Sequence, residues 1–116
     1  MDAYESRARA DLSVLGSGVP VVVQLHDRRN AESRRFHDRV ARALRGVEPP
    51  LEWRVVEVRS EDGRRLARDY GAGRQTLLLY DGRGEVVRVL RGERSEEALG
   101  AVFAEHAGTL SPPVGQ

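Results

Sequence analysis

Residues 19–33 read Val19-Pro20-Val21-Val22-Val23-Gln24-Leu25-His26-Asp27-Arg28-Arg29-Asn30-Ala31-Glu32-Ser33. The stretch changes character twice. Val19 to Leu25 is an apolar run with three consecutive valines, which suits a strand buried on both faces in a parallel or mixed sheet. Pro20 stands at its start, where a missing N–H donor is tolerated. Asp27 to Asn30 is a polar turn, and Asn30, with Ser33 three residues on, predicts a helix N-cap. Beyond it Phe36, Val40, Leu44 and Val47 share one face, with Arg34, Arg35, Arg39, Arg42 and Arg45 elsewhere. That pattern predicts an amphipathic helix of about four turns. Gly46 ends it, and Pro49-Pro50 bar its continuation.

Working outward, Tyr4, Ala8, Leu12 and Leu15 recur at helical spacing, so residues 1–17 read as a short helix stopped by Gly16-Ser17-Gly18. Trp53 to Val58 is a second strand. Ser60 or Asp62 then opens a short helix carrying Leu66, Ala67 and Tyr70, closed by Gly71 and Gly73. Thr76 to Tyr80 is a third strand. Asp81-Gly82-Arg83-Gly84 reads as a hairpin turn, because its glycines supply positive φ angles. Glu85 to Arg91 is the returning strand. Ser95-Glu96-Glu97 caps a last helix and puts two acids at its positive end. Ala98, Leu99, Val102, Phe103 and His106 form that helix's buried face, and Gly108 ends it. Residues 1–108 are expected to be one domain, with 109–116 a flexible tail. Two strands joined by a helix are parallel with a right-handed crossover. The order therefore predicts an α/β sandwich on a four-stranded mixed sheet, strands ordered 53–58, 19–25, 76–80, 86–91.

The chain has 116 residues, 40% hydrophobic and 32% charged, with a formal net charge of +1, which excludes wholesale disorder. It contains no apolar run near about 18 residues. Met1-Asp-Ala-Tyr-Glu5 lacks the basic start and apolar stretch of a secretory leader. A cytoplasmic location with no membrane partner is expected. All 19 basic residues are arginine. The near-neutral balance argues against a nucleic-acid partner. Cysteine count is zero, which removes disulfides, thiol catalysis and thiolate metal sites together.

Several short motifs, in order, resemble the thioredoxins across about residues 12–107. Pro20 to His26 resembles the family's central strand. Asp69-Tyr70-Gly71 resembles the end of its short helix. Thr76 to Gly82 resembles the stretch after its cis-proline, and Gly84-Glu85-Val86 with Arg91-Gly92 resembles its last strand. The resemblance implies a thioredoxin-like three-layer sandwich. By spacing, the family's Cys-x-x-Cys falls on Asn30-Ala31-Glu32-Ser33, its buried acid on Gln24 and its cis-proline on Gln75. Exchange needs a thiolate attacking sulfur, so the resemblance implies a member without redox activity. A cis bond before a non-proline residue costs about 2.5–4 kcal/mol, so the Arg74–Gln75 peptide is expected to be trans. The start of the long helix also resembles that of clock proteins of the KaiB type, and at the fold level alone the chain is similar to hydrogenase-maturation accessory proteins, which have a thioredoxin-like fold without the cysteine pair. The family's extra first strand has no counterpart, which leaves strand 53–58 as an edge. Either it pairs with another chain, as in a homodimer, or residues 1–17 or the tail cover it.

Charge is unevenly placed. Residues 26–45 hold seven arginines against Asp27, Glu32 and Asp38, whereas 46–62 hold Glu48, Glu52, Glu57, Glu61 and Asp62 against Arg54 and Arg59. Arg28 and Arg29 precede the long helix, whose free N–H groups attract anions, and the fold places Arg74 in the facing loop. Either these are solvated arginines balanced by local acids, or the former redox face is a basic contact surface. His26, His37 and His106 lie on different elements without ligand spacing, so no metal and no cofactor are expected. Trp53 reads as core or edge cover, and Ser33 as part of a capping turn. The resulting expectation is a non-catalytic, protein-binding domain of adaptor or chaperone-like type. Its contact face is Arg28, Arg29, Asn30, Ser33, Arg74 and Gln75, and its partner is acidic. The alternative is a small anion-binding or weakly catalytic domain using the long helix's N-terminus, which requires a pocket between residues 27–33 and 74–76.

Overall fold

A computed structural model describes residues 11–108. Its elements are β1 (Val21–His26), α1 (Ala31–Arg45), β2 (Glu52–Glu57), α2 (Glu61–Tyr70), β3 (Thr76–Tyr80), β4 (Val86–Arg91) and α3 (Glu96–Gly108). The strands form one sheet in the order β2-β1-β3-β4. β1 pairs β2 in parallel, and β3 is antiparallel to both β1 and β4. This is the strand order the sequence predicts.

The six residues of β1 are all buried because helices cover both faces of the sheet. Val22, Leu77 and Leu79 face α1 and α3, where they join Phe36, Val40, Ala43, Val47, Leu99 and Phe103. Val21, Val23, Leu25, Val56, Leu78 and Tyr80 face the other way and pack with Leu66 of α2. Two cores on one sheet require strand residues apolar on both sides, and the valine run supplies them.

The helix boundaries follow their capping chemistry. Asn30 Oδ1 accepts from Ser33 N, and Ser60 Oγ accepts from Gly63 N. Ser95 Oγ accepts from Ala98 N at 3.0 Å. Gly71 closes α2 in the left-handed conformation, φ 65°. Gly63 lets α2 lie close on the strand before it, since a Cβ there would stand 2.9 Å from the backbone of Val58. In α1 the buried position is Ala43 rather than Leu44, which is half-buried at the core's rim.

The N-terminal segment departs from the expected helix over its described residues. Residues 1–10 and 109–116, and with them most of the expected first helix and all of the tail, lie outside the described residues. Residues 11–17 form turns, not helix. Leu15 N bonds Leu12 O and Ser17 N bonds Val14 O, each at 3.1 Å. Asp11 Oδ1 accepts from both Ser13 N and Ser13 Oγ, a local bond that competes with helix. The spacing of Leu12 and Leu15 suits a turn equally well, and both pack against the α2-side core.

His106, on α3, is buried, and its Nε2 lies 2.9 Å from Tyr80 O. Burial pulls its pKa below the usual histidine value, against hydrogen bonds to the Tyr80 and Val21 backbones that favour the charged form. No described helix is long and apolar enough to cross a membrane.

Candidate functional site

Parallel pairing carries the C-terminal ends of β1 and β2 to the same end of the sheet, with His26 opposite Glu57. Crevices beyond such strand ends are where open α/β sheets present functional groups. Here the segment 27–30 crosses from β1 to α1, and side chains beneath it set its shape. Ser33 Oγ accepts from Asp27 N at 2.9 Å and lies 3.0 Å from His26 Nδ1. Ser33 N donates to Asn30 Oδ1 at 2.8 Å. Ser33 is fully buried, so it braces the turn from below and presents nothing to a partner or a substrate.

Asp27 anchors the turn from its other side. Arg59 grips it with two bonds, Nη1 to Oδ1 at 2.9 Å and Nη2 to Oδ2 at 3.3 Å. Arg29 N also donates to Asp27 Oδ1, at 3.0 Å. Glu57 Oε2 accepts from Arg59 Nη1 at 3.3 Å and from Arg28 N at 3.4 Å. The Arg59 hydrogen bonds hold the Asp27 carboxyl below its ordinary pKa, with further help from Arg29 N and the charges of Arg59 and Arg74.

A depressed carboxyl pKa stabilises the fold above the unfolded value and loses that contribution as pH falls through the folded value. Asp27→Asn is therefore expected to be less stable than the wild type at neutral pH. The gap should close below the ordinary carboxyl value of 3.8. Urea midpoints of both proteins across acid and neutral pH check this, and a gap that persists unchanged at low pH would refute the role given to Asp27.

The predicted face resolves into layers. Arg28 and Arg29 are exposed, Asn30 is half-buried, and Ser33 lies beneath. Arg74 is exposed in the loop before β3, close enough for its charge to act on Asp27. Among the described residues Arg28, Arg29 and Arg74 form no ion pair. The two carboxylates that accept from the backbone N–H groups of Arg29 and Arg28, Asp27 and Glu57, are both engaged by Arg59. The Arg74–Gln75 peptide is trans, and Gln75 itself takes a left-handed φ of 63°. That turn directs Gln75 O to Gly92 N at 3.2 Å. A groove of about 730 Å³ lies at the opposite end of α1, lined by Arg42, Val47, Glu96 and Gly100 among others, and no residue of the predicted face lines it.

Two arrangements had no counterpart in the sequence reading. Arg59, in the sequence one charge among several, is the main electrostatic partner of Asp27. Its position two residues past the C-terminus of β2, parallel to β1, is the signal that places it there. The second is a run of rings. His37 stands 4.9 Å from His26 and 5.0 Å from Trp53, centroid to centroid. Trp53 Nε1 donates to Gln24 Oε1 at 3.2 Å. His26 and His37, assigned to separate elements, thus meet, while His106 lies apart against Tyr80 O. Among the described residues no cluster of three or more His, Cys, Asp or Glu side chains could hold a metal ion.

No family model matches the chain, and no curated protein matches it. Solved structures do. Trxlp from Edwardsiella tarda is 24% identical, with a TM-score of 0.61 over 89% of this chain and 93% of that one. A mutant thioredoxin from Halobacterium salinarum is 21% identical, with a TM-score of 0.65 over 82% and 80%. A thioredoxin-like protein from Clostridium perfringens, described as uncharacterized, is 13% identical, with a TM-score of 0.66 over 99% and 96%. What these likenesses share is the fold: this chain has a thioredoxin-like architecture, and with no cysteine in its 116 residues it has no thiol with which to perform thiol–disulfide exchange.

Proposed function

We propose that this chain is a non-catalytic binding domain of adaptor or chaperone-like type. It docks an acidic protein surface through Arg28, Arg29 and Arg74, with Gln75 beside them. The observation that carries the reading is the disposition of charge at the end of β1. Arg59 engages both Asp27 and Glu57, so the local acids do not quench the exposed arginines. The turn bearing Arg28 and Arg29 is held by hydrogen bonds to the side chains of Ser33, Asn30, Asp27 and Glu57. A turn fixed in this way loses little conformational freedom on docking. Arginine also suits bidentate recognition of carboxylates. Asn30 and Ser33 serve the surface by shaping it.

The test is affinity capture from the source lysate at low and moderate salt, with wild type beside an Arg28→Glu/Arg29→Glu/Arg74→Glu variant. A protein retained by wild type, lost by the variant and weakened by salt is the expected result. Rim charges act mainly through association rate and salt dependence, so the loss should be about tenfold or more in affinity. Retention of the same proteins by both baits would remove this face from the function.

A further inference from the structure

Among the described residues β2 is the outer strand of the sheet, and the groups on its outer side can be assigned one by one. Val58 N donates to His26 O, and the strands run parallel from Val21 opposite Glu52 to His26 opposite Glu57. In a parallel ladder the groups facing one neighbour come from alternate residues. Residues 54, 56 and 58 therefore bond β1, and the N–H and C=O groups of Trp53 and Val55 face outward with the Glu57 N–H, while Glu57 O already accepts from Ser60 N and Ser60 Oγ. β2 contains no proline, no lysine and no register shift, the usual means of closing an edge.

One side chain crosses that edge. Arg54 Nη1 donates to Trp53 O at 3.0 Å, and Arg54 Nε donates to Asp11 O at 3.0 Å. The same Nη1 lies 3.1 Å from Glu52 Oε1. An outward carbonyl of the ladder is thus occupied by a guanidinium that also sits beside an acid two residues away on the same face.

We infer that the outer edge of β2 receives the β2 of a second copy of this chain, antiparallel, in the register centred on Trp53. Charge selects this register. It sets Glu52 opposite the second copy's Arg54, and Arg54 opposite the second copy's Glu52. One step further along, centred on Arg54, two arginines stand opposite one another, and like charges directly opposite destabilise a sheet. Centred on Val55, Arg54 meets Val56 and Glu52 meets Val58. In the Trp53 register Arg54 exchanges its own Glu52 for the other copy's. The Trp53 carbonyl is released to accept the other copy's Trp53 N–H, and the two sheets become one. This interface is separate from the basic face, so the Arg28→Glu/Arg29→Glu/Arg74→Glu variant is expected to associate as wild type does, and failure of either idea leaves the other standing.

The experiment is sedimentation equilibrium on the full chain. Wild type is compared with Glu52→Arg, Arg54→Glu and the double swap Glu52→Arg/Arg54→Glu. Wild type is expected to dimerise below about 1 mM, each single variant to associate at least about tenfold more weakly, and the double swap to recover wild-type affinity. Amide exchange supplies a second readout that needs no variant. Val55 N–H should gain protection as wild-type concentration rises, and Val56 N–H, already bonded to β1, should not. A wild type monomeric throughout overturns the proposal and makes Arg54 with Asp11 a closed edge. Dimerisation without recovery in the double swap, or without Val55 protection, overturns the strand pairing.

Discussion

Phe103→Ala is expected to lower the unfolding free energy by about 3–5 kcal/mol. Phe103 is fully buried on α3, in the core that also holds Phe36, Val40, Leu77, Leu79 and Leu99. Removing the ring forfeits its transfer free energy and leaves a cavity. The site has little freedom to collapse, because Leu77 and Leu79 are fixed by ladders to β1 on one side and β4 on the other. Domains of this size have only about 5–15 kcal/mol in total, so the variant should stand near the edge of folding. Val102→Ala is the comparison, since Val102 is half-buried at the rim of the same core. Urea unfolding of the two should show the larger loss for Phe103→Ala by a wide margin. Equal midpoints would mean that α3 is not a working part of the core.

Gln24→Glu is expected to produce a loss of similar size that depends on pH. Gln24 is fully buried in β1, on the α1 side of the sheet. Its Oε1 accepts from Trp53 Nε1, and its Nε2 has no hydrogen-bond partner among the described residues. A protonated glutamate keeps the acceptor for Trp53 and nearly the same shape. An ionised one puts a charge where water cannot reach. Burial of this kind raises a carboxyl pKa by roughly 2–3 units. A raised folded pKa means that the unfolded chain releases the proton first, so the variant is near wild-type stability in acid and loses stability as pH rises. The loss above neutral pH should be about 3–4 kcal/mol. Stability curves for wild type and Gln24→Glu across acid and neutral pH decide this, and parallel curves would mean that the carboxylate finds a partner or water. The wild-type amide cannot titrate, so the wild-type curve should not show this step.

The reading of the elements rested on residues whose chemistry acts within a few positions. Asn30 and Ser60 cap helices through their own side chains. Gly71 closes one through a backbone angle that side chains disfavour. The Asp81–Gly84 turn closes on itself, with Gly84 N bonded to Asp81 O. Such signals need no distant partner. The reading failed at residues 11–17 for the same kind of reason. Helical spacing over so short a span also fits two consecutive turns, and a local Asp11–Ser13 bond favoured the turns.

By itself, then, the sequence determined the alternation of strands and helices, the strand order, the two-sided burial of β1 and the loss of thiol chemistry. Each of these follows from local periodicity, local capping, the crossover rule for strands joined by a helix, or the absence of a residue type. The tertiary structure decided what the polar side chains do. It sent Arg59 to Asp27 across the ends of two parallel strands, 32 positions apart in the chain. It stacked His26, His37 and Trp53, and it sank Ser33 beneath the turn it holds while leaving Arg28 and Arg29 above it. Hydrogen bonds and ion pairs act over a few ångströms in space, and sequence spacing carries that distance only within one turn of helix or one pair of strand residues. Where the chain crosses the sheet and returns, the distances that matter are set by the packing of the layers.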